Sequence, residues 1–360
     1  MATTLATSLT PDQLHALAEI RSRITDRSAV VTLAGYAGTG KTFLLRELLR
    51  ELREAGWRVL LTAPTHQALA VARGGLASDV ETMTIHAALG LTVREQEDGT
   101  TSVSRRASPK LRGYHLVVVD EVSMVGADLY QEFMRTRECA VLFVGDPGQL
   151  PPVGEKESPA FAEVAGRLSL TSIVRQAAGS PLITLAHAIR ELAENAQRVR
   201  LDLLRPYAEG AAQIVDGNLQ TVTEYVADAI SSGFRAVGIT YRNEDVDRIN
   251  AGAHRALYPS STLPYEPGER VLFRAPWHRP GEENREPVVR TNEMGTVVSL
   301  SDVVESPFDL PMRNLTVELD SGREYMFPVP VNPVTWRRAV SALFAEHRAA
   351  KANAAIAKGT

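Results

Sequence analysis

Residues 35–42 read Gly35-Tyr36-Ala37-Gly38-Thr39-Gly40-Lys41-Thr42. This stretch fits the phosphate-binding pattern G-x-x-x-x-G-K-[ST] at every fixed position. The apolar residues 30–34 before it predict a buried strand, and residues 43–49 after it predict a helix. In such a unit the glycines let backbone N–H groups surround phosphate oxygens, and the helix N-terminus adds a partial positive charge. The stretch predicts an α/β fold with a nucleotide site, against the alternative of a glycine-rich turn that binds nothing.

The side chains of this loop have separate expected tasks. Lys41 is expected to neutralise the β- and γ-phosphates of a nucleotide, and the Thr42 hydroxyl to bind Mg²⁺. The predicted nucleotide contacts in and beside the loop are Gly35, Gly38, Thr39, Gly40, Lys41, Thr42 and Phe43.

A second segment carries the chemistry that hydrolysis of a nucleotide needs. It reads Leu116-Val117-Val118-Val119-Asp120-Glu121, an apolar run typical of a strand in a parallel sheet that is covered on both faces. Ligands bind at the carboxyl ends of such strands. Asp120 is therefore expected to hold Mg²⁺, and Glu121 to orient and deprotonate the attacking water. The alternative, a strand that ends in two solvated acids, is weakened by the phosphate loop in the same chain.

Composition limits the class of protein. The 360 residues are enough for two or three domains, and 44% hydrophobic with 23% charged residues is typical of a globular protein. No apolar run approaches the ~20 residues of a membrane helix, and the N-terminus lacks a signal-peptide pattern. The single cysteine, Cys139, excludes an internal disulfide and a cysteine-based zinc site, and predicts a small core residue. These features favour the cytoplasm, and the net charge of −4 means that any nucleic-acid site must be local.

Alternating strand and helix patterns predict a first doubly wound α/β domain over residues 1–179. Thr10 as N-cap and Pro11 at the first helical position open its first helix, which has a predicted apolar face. That face comprises Leu14, Leu17, Ile20 and Ile24. The polar residues 91–113 interrupt the alternation and predict an inserted β-hairpin around Asp98-Gly99.

The rest of the chain predicts an incomplete second α/β domain. Residues 180–258 contain helix patterns near 222–230 and 243–257 and a strand pattern at 236–240. Residues 259–332 are rich in proline and glycine with short strand patterns, which predicts an inserted small all-β barrel. Residues 333–360 return to an alanine-rich helix pattern.

Five further segments stand in a fixed order around the two nucleotide motifs. They are Leu9-Thr10-Pro11-Asp12-Gln13, Thr62-Ala63-Pro64-Thr65-His66, Thr84-Ile85-His86, residues 144–153 with the sequence VGDPGQLPPV, and Ile173-Val174-Arg175-Gln176. Together, the seven motifs resemble those of superfamily 1 DNA helicases of the RecD/Dda type. The resemblance covers essentially the whole chain and implies two RecA-like domains, ATP and Mg²⁺ as cofactors, and single-stranded or tailed duplex DNA as partner.

The resemblance also implies roles for individual residues. Gln13 would read the adenine edge, Gln149 would link the γ-phosphate to the DNA groove, and Arg175 would touch the γ-phosphate. Lys41, Glu121, Gln149 and Arg175 then form the predicted catalytic set. The single-strand groove would be lined by Pro64, Thr65, His66, Thr84 and His86. From the residues alone, His66 and His86 could instead cap adjacent turns.

The predicted hairpin matches the position of the strand-separating pin of these helicases. Its tip, residues 96–100, has no aromatic side chain that could stack on a base pair. Arg105 and Arg106 follow and are predicted to bind backbone phosphates, and a solvated loop with ordinary surface charge is the equal alternative.

One departure from the family pattern concerns the second motor domain. The family's His-x-x-Gln-Gly stretch is missing, and only one convincing strand of that domain is predicted. We therefore expect a fragment, or a second polypeptide that completes the domain. The resulting hypothesis is an ATP-dependent helicase or translocase moving 5′→3′, with weak activity of this chain alone. The alternatives are an ATP-binding switch that gates partner contacts and a non-catalytic nucleic-acid-binding remnant.

Overall fold

The computed structural model describes residues 9–74, 80–95, 101–105, 107–172, 181–194, 217–279, 287–305, 310–332, 334–336 and 338–342. The chain divides into two compact units, Met1–Ile214 and Val215–Thr360. This division differs from the boundary expected after residue 179. The helix at residues 181–194 belongs to the first unit, where its Arg190 forms an ion pair with Asp146.

The first unit alternates strands and helices along the chain. Its strands are β1 (Val30–Gly35), β2 (Val59–Ala63), β3 (Glu81–Thr84), β4 (Leu91–Glu95), β5 (Thr101–Arg105), β6 (Leu116–Val119), β7 (Ala140–Gly145) and β8 (Leu168–Leu170). Its helices are α1 (Pro11–Ile24), α2 (Lys41–Glu54), α3 (His66–Arg73), α4 (Ile85–Ala88), α5 (Ala127–Thr136), α6 (Pro159–Ala162) and α7 (Pro181–Glu194), with a 3₁₀ turn at Val122–Met124.

Six of these strands form a parallel sheet in the order β3-β2-β6-β7-β1-β8. Alternate residues of its strands enter two separate apolar cores. Leu33 and Val118 pack with the buried leucines of α2, whereas Val117 and Phe143 pack with residues of α4 and α5. The sheet is thus covered on both faces, as the continuous apolar runs predict. The expected doubly wound α/β fold is confirmed.

The start of α1 shows how local sequence fixes the first helix. Thr10 and Gln13 form a reciprocal capping box, in which the Thr10 hydroxyl accepts from the Gln13 N–H and the Gln13 side chain accepts from the Thr10 N–H. Leu17, Ile20 and Ile24 are buried as the apolar pattern predicts. Leu14 is 54% exposed, so its place on the predicted core face is wrong. It lies at the margin of the buried stripe, where periodicity alone does not define which side chains are covered.

The expected hairpin is present as the antiparallel pair β4–β5, with Val93 opposite Val103. Its tip at residues 96–100 lies outside the described residues, as does Arg106.

The second unit contains two helices followed by a β-sheet. The helices are α8 (Leu219–Ser231) and α9 (Asn243–Leu257). The strands β9 (Arg270–Leu272), β10 (Met294–Leu300), β11 (Val304–Glu305), β12 (Pro311–Leu319) and β13 (Glu324–Pro330) form one antiparallel sheet. Val297, Val317 and Phe327 lie in its apolar core. The residues predicted to form a small all-β barrel thus contain a five-stranded antiparallel sheet, and its insertion into a second α/β domain stays a prediction.

The strand predicted at residues 236–240 is not formed. Val237 and Ile239 are 79% and 90% exposed, and this segment pairs with no strand of the described residues. A β-branched sequence favours a strand only where a neighbouring strand accepts its backbone hydrogen bonds.

Three smaller expectations concern the ends of the chain, membrane segments and the cysteine. Residues 334–336 and 338–342 are helical, and the rest of the expected terminal helix lies outside the described residues. Cys139 is buried, and burial raises the pKa of its thiol, which fits an inert core residue. In the described part of the chain, every helix is too short or too polar to cross a bilayer.

Candidate nucleotide site and nucleic-acid interface

Three functional segments follow neighbouring strands at one edge of the sheet. The phosphate loop follows β1, Asp146 follows β7, and Asp120 follows β6, and these strands are adjacent in the order β6-β7-β1. Because the strands are parallel, their carboxyl ends meet at the same edge. The fold therefore brings Lys41, Asp120, Glu121 and Asp146 into one site.

The phosphate loop has the backbone that a phosphate cradle requires. Gly38 and Gly40 have φ of 83° and 81°, in the left-handed region that glycine adopts without strain. A Cβ on Gly35 would lie 2.7 Å from the Thr39 hydroxyl oxygen, so a side chain there would force the loop apart. Gly40 is the N-cap of α2 and makes no side-chain cap. With no capping side chain at this position in the described structure, the first N–H groups of α2 suit a phosphate.

Lys41 begins α2 and is held by the loop backbone. Its ammonium donates to the carbonyl oxygens of Gly35 at 2.6 Å and Tyr36 at 3.1 Å. Burial lowers the pKa of Lys41, while the negative charges of Asp146, Glu121 and Asp120 act in the opposite direction. The site thus combines one half-buried ammonium with carboxylates from two neighbouring strand ends.

Asp120 and Glu121 are partly buried, and Glu121 also has a strained backbone conformation. Burial raises the pKa of Asp120, and burial together with the Asp120 charge raises the pKa of Glu121. Glu121 has φ 52° and ψ 42°, a left-handed conformation that is unfavourable for a residue with a Cβ. Such strain is concentrated at functional sites, which agrees with the role expected for Glu121.

The donor set fits Mg²⁺ better than a metal enclosed by protein alone. Thr42 is exposed at the start of α2, and Asp120 ends β6, so both offer oxygen ligands at this edge. Among the described residues, no group of three His, Cys, Asp or Glu side chains could hold a metal ion. Mg²⁺ is commonly bound by one or two protein oxygens together with substrate phosphates and water.

Asp146 and Arg190 belong to this site, although the sequence did not predict them as site residues. Asp146 is 1% exposed and accepts from the Arg190 guanidinium at 2.9 and 3.1 Å. The same guanidinium lies over the Tyr36 ring of the phosphate loop, with its carbon 3.8 Å from the ring centroid. The position of Asp146 after a buried strand was a usable signal, whereas nothing in the sequence links Arg190 to it.

The structure gives little support for placing the predicted catalytic residues Gln149 and Arg175 in the site. Gln149 is exposed, and its side-chain oxygen accepts from the Ser123 hydroxyl at 3.5 Å, the long limit of a hydrogen bond. Arg175 lies outside the described residues. Their roles at the γ-phosphate stay predictions.

Gln13 and Phe43 flank the phosphate loop. The Gln13 amide is buried and donates to the Thr39 carbonyl at 2.9 Å, while its oxygen accepts from the Thr10 N–H at 2.9 Å. Both ends of the amide are thus engaged within the protein, and adenine reading by Gln13 stays a prediction. Phe43 is partly buried in the first turn of α2, and its nucleotide contact also stays a prediction.

The predicted groove residues lie at the carboxyl ends of the paired strands β2 and β3, where Ala63 is opposite Thr84. The Thr65 hydroxyl accepts from the Ala68 N–H at 3.1 Å, and the Thr84 hydroxyl accepts from the Ala87 N–H at 3.2 Å. These threonines, not the histidines, cap α3 and α4. A capping hydroxyl keeps its own proton, so both can still donate to a phosphate oxygen.

The remaining groove residues differ in exposure. His66 is exposed at the start of α3, and Pro64 is partly buried beside it. His86 lies in α4, and burial lowers the pKa of its imidazole. A neutral His86 offers a hydrogen-bond donor rather than a positive charge to a nucleic-acid backbone.

Arg105 is engaged inside the first unit. Its guanidinium forms an ion pair with Glu132 and donates to the Leu89 carbonyl at 3.0 Å. These contacts attach the hairpin to the domain and neutralise the charge that was expected to bind phosphate. The nucleic-acid roles of Arg105 and Arg106 stay predictions.

A family model described as an AAA domain matches residues 8–206, more than half of the chain. The chain belongs to the AAA domain family. This AAA domain chain is 33% identical over 180 residues to the ATP-dependent RecD2 DNA helicase of Deinococcus radiodurans, a match that covers 48% of the chain and 24% of the relative. It is 32% identical over 200 residues to the ATP-dependent DNA helicase PIF3 of Trypanosoma brucei brucei, covering 51% of the chain and 22% of the relative. The resemblance to RecD-type helicases is therefore confirmed.

A solved structure of Pif1 helicases at forked double-stranded DNA is also similar to this AAA domain chain. It has a TM-score of 0.49 at 21% identity and covers 89% of this chain and 76% of that chain. The curated relatives are much longer than the matched region, so the AAA domain chain spans less than two thirds of their length.

Proposed function

We propose that this chain contains the ATP-binding and ATP-hydrolysing part of a DNA helicase or translocase that moves 5′→3′ on single-stranded DNA. The observation that carries the proposal is the meeting of Lys41 with Asp120, Glu121 and Asp146 at the carboxyl ends of β1, β6 and β7. The named relatives are ATP-dependent DNA helicases, which supports the same activity here.

Each residue of the site has a task in this proposal. The loop N–H groups and Lys41 bind the phosphates of ATP, and Gln13, Gly35, Gly38, Gly40 and Phe43 shape the pocket around the nucleotide. Thr42 and Asp120 hold Mg²⁺, which supplies positive charge at the phosphates when it is bound. Glu121 accepts a proton from the water that attacks the γ-phosphate.

The raised pKa of Glu121 suits this task, because a carboxylate of higher pKa is a stronger base once it is ionised. Gln149 orients the same end of the nucleotide, and Arg175 stabilises the charge on the γ-phosphate. The assignments of Thr42, Asp120 and Glu121 rest on the shared edge of the sheet and on the family resemblance. Those of Gln149 and Arg175 rest on the family resemblance alone.

The DNA-binding part of the proposal rests on the adjoining strand ends. Pro64, Thr65, His66, Thr84 and His86 follow β2 and β3, next to β6 in the same sheet. Small hydroxyls and neutral imidazole groups can bind backbone phosphates without reading sequence. We further propose that this activity is cytoplasmic.

Measurement of ATP turnover by the purified chain, with and without single-stranded DNA, tests the proposal. Mg·ATP binding with DNA-stimulated turnover would support it, and duplexes with a 5′ or a 3′ tail would then test the direction. No Mg·ATP binding by the folded chain would overturn it. Turnover that never responds to DNA would favour an ATP-binding switch.

A further inference from the structure

The carboxylate of Asp146 is the most deeply buried charge beside the phosphate loop. It is 1% exposed, and an ionised carboxylate in such a place needs a cationic partner. Two cations are near: Arg190, which binds both carboxylate oxygens at 2.9 and 3.1 Å, and Lys41, whose ammonium is attracted by the Asp146 charge.

The local backbone is shaped around the Arg190 guanidinium. A Cβ on Gly148 would lie 2.7 Å from two nitrogens of this group, so only glycine leaves room for it. The Gly148 N–H also donates to Asp146 at 2.8 Å, and the Gln149 N–H donates to the Asp146 carbonyl at 3.1 Å. The turn at residues 145–149 thus presents the carboxylate to a side chain that comes from α7.

The other side of the guanidinium faces the phosphate loop. It stacks on Tyr36, whose carbonyl oxygen accepts from Lys41 at 3.1 Å. Lys41 is therefore hydrogen-bonded to two loop carbonyls, whereas Asp146 is hydrogen-bonded to Arg190. Arg190 thus satisfies the carboxylate that, of the three acting on Lys41, attracts its ammonium most strongly.

We propose that Arg190 is a positioning residue that keeps Lys41 available to the phosphates of a nucleotide by neutralising Asp146. Without Arg190, the buried carboxylate captures Lys41 in an internal ion pair that competes with phosphate. The inference rests on the proposed nucleotide function, and it adds α7 to the elements that set nucleotide affinity.

Two measurements on the full chain test this role. The first is the dissociation constant of Mg·ATP, from calorimetric titration. The second is the rate at which acetic anhydride acylates Lys41 in the nucleotide-free protein, followed by mass spectrometry, which reports whether the amine is captured. Only the first depends on ATP binding.

Arg190→Met keeps the length of the side chain and removes its charge. We expect roughly tenfold weaker Mg·ATP binding, the scale of one lost charge-assisted hydrogen bond, and several-fold slower acylation of Lys41. Arg190→Met combined with Asp146→Asn should restore both, because a neutral amide does not attract the ammonium. Arg190→Lys keeps the ion pair and should stay near the parent values. Arg167→Met, which removes an exposed arginine paired with Glu157 at 3.7 Å, is the matched control.

Unchanged ATP affinity and unchanged acylation in Arg190→Met would overturn the inference, and so would a double variant that is no better than the single one. If Arg190→Met does not fold, Arg190→Lys and the double variant decide: a loss of Lys41 reactivity in both contradicts the charge argument. If the parent chain does not bind Mg·ATP, the proposed function fails while the acylation rates still decide the role of Arg190.

Discussion

The backbone N–H of Glu121 donates a 2.9 Å hydrogen bond to the side chain of Asp120. This bond fixes the first carboxylate, while the left-handed backbone at φ 52° turns the chain before the second. Two consecutive acidic residues thus receive different surroundings, although burial raises the pKa of both. In the proposed function, this difference assigns cation binding to the first carboxylate and proton acceptance to the second.

Replacement of Glu121 by glutamine should separate nucleotide binding from hydrolysis. Glu121→Gln keeps the shape and removes the base, so we expect ATP turnover to fall by about 10²–10⁴-fold with little change in Mg·ATP affinity. Steady-state turnover and calorimetric titration measure the two quantities. The exposed Glu163→Gln is the matched control. Equal turnover in parent and Glu121→Gln would remove Glu121 from the catalytic role.

The pH dependence of turnover should reflect the raised pKa of Glu121. A general base must be unprotonated, so activity is lost as the pH falls through its pKa in the folded protein. Because burial and Asp120 raise this pKa, the acid limb of kcat should lie above the ordinary glutamate value of about 4.3. The residual rate of Glu121→Gln should lack this limb. An acid limb at or below the ordinary value would contradict the assignment.

Backbone strain at Glu121 should be measurable as stability. Glycine adopts a positive φ without a steric cost, whereas a residue with a Cβ loses about 1–2 kcal/mol there. We therefore expect the free energy of unfolding of Glu121→Gly to exceed that of Glu121→Ala by about 1 kcal/mol. Denaturant titration measures this difference in the free energy of unfolding. Gly56 has φ 78° with open space around it, so Gly56→Ala should lower the free energy of unfolding by a similar amount. A Glu121→Ala variant as stable as Glu121→Gly would show that the backbone is not strained.

Lys41 should dominate nucleotide affinity. Lys41→Ala is expected to weaken Mg·ATP binding by about 1.5–3 kcal/mol, on the order of 10- to 100-fold in Kd, because a charge-assisted phosphate contact is lost. Its thermal stability should not fall, since burial disfavours the charged ammonium. Lys156→Ala changes an exposed lysine and serves as the control. Parent-like ATP affinity in Lys41→Ala would contradict the nucleotide site.

His86 should contribute to single-strand binding without contributing charge. Burial lowers the pKa of His86, so its imidazole is neutral at pH 7 and displaces no counterion from DNA. We expect His86→Ala to weaken binding of single-stranded DNA while the slope of log K against log salt stays the same. The exposed His15→Ala is the control. A reduced slope would show that His86 binds as a cation, and unchanged affinity would place the groove elsewhere.

The nucleotide half of the site was predictable because its geometry is local. The phosphate loop, the strand before it and the helix after it are consecutive in the sequence. Gly38 and Gly40 have φ of 83° and 81°, a conformation that few residues other than glycine adopt. The strand ending at Asp120 was predictable for the same reason. A parallel sheet then brings such strand ends together without further information.

The contacts that were missed depend on partners far away in sequence. Arg190 and Asp146 are separated by 44 residues, and neither residue type nor spacing indicates that they meet. The predicted strand at 236–240 failed because a strand requires a neighbour that the sequence pattern does not specify. The role of Thr84 as a helix cap could not be predicted either, because a threonine at the end of a strand suits both a helix cap and a phosphate contact.

The Gln13 amide joins the start of α1 to the phosphate loop, because it accepts from the Thr10 N–H and donates to the Thr39 carbonyl in a buried hydrogen bond. Any purine that recruits this amide must first release the Thr10 N–H and the Thr39 carbonyl, and the second of these belongs to a fully buried residue. The free energy needed to break these two hydrogen bonds therefore reduces the selectivity between adenine and guanine that the Gln13 amide can provide. Hydrogen–deuterium exchange at the start of α1 becomes a readout of base choice: protection there is lost when the amide turns to the base and kept when the phosphates alone are bound.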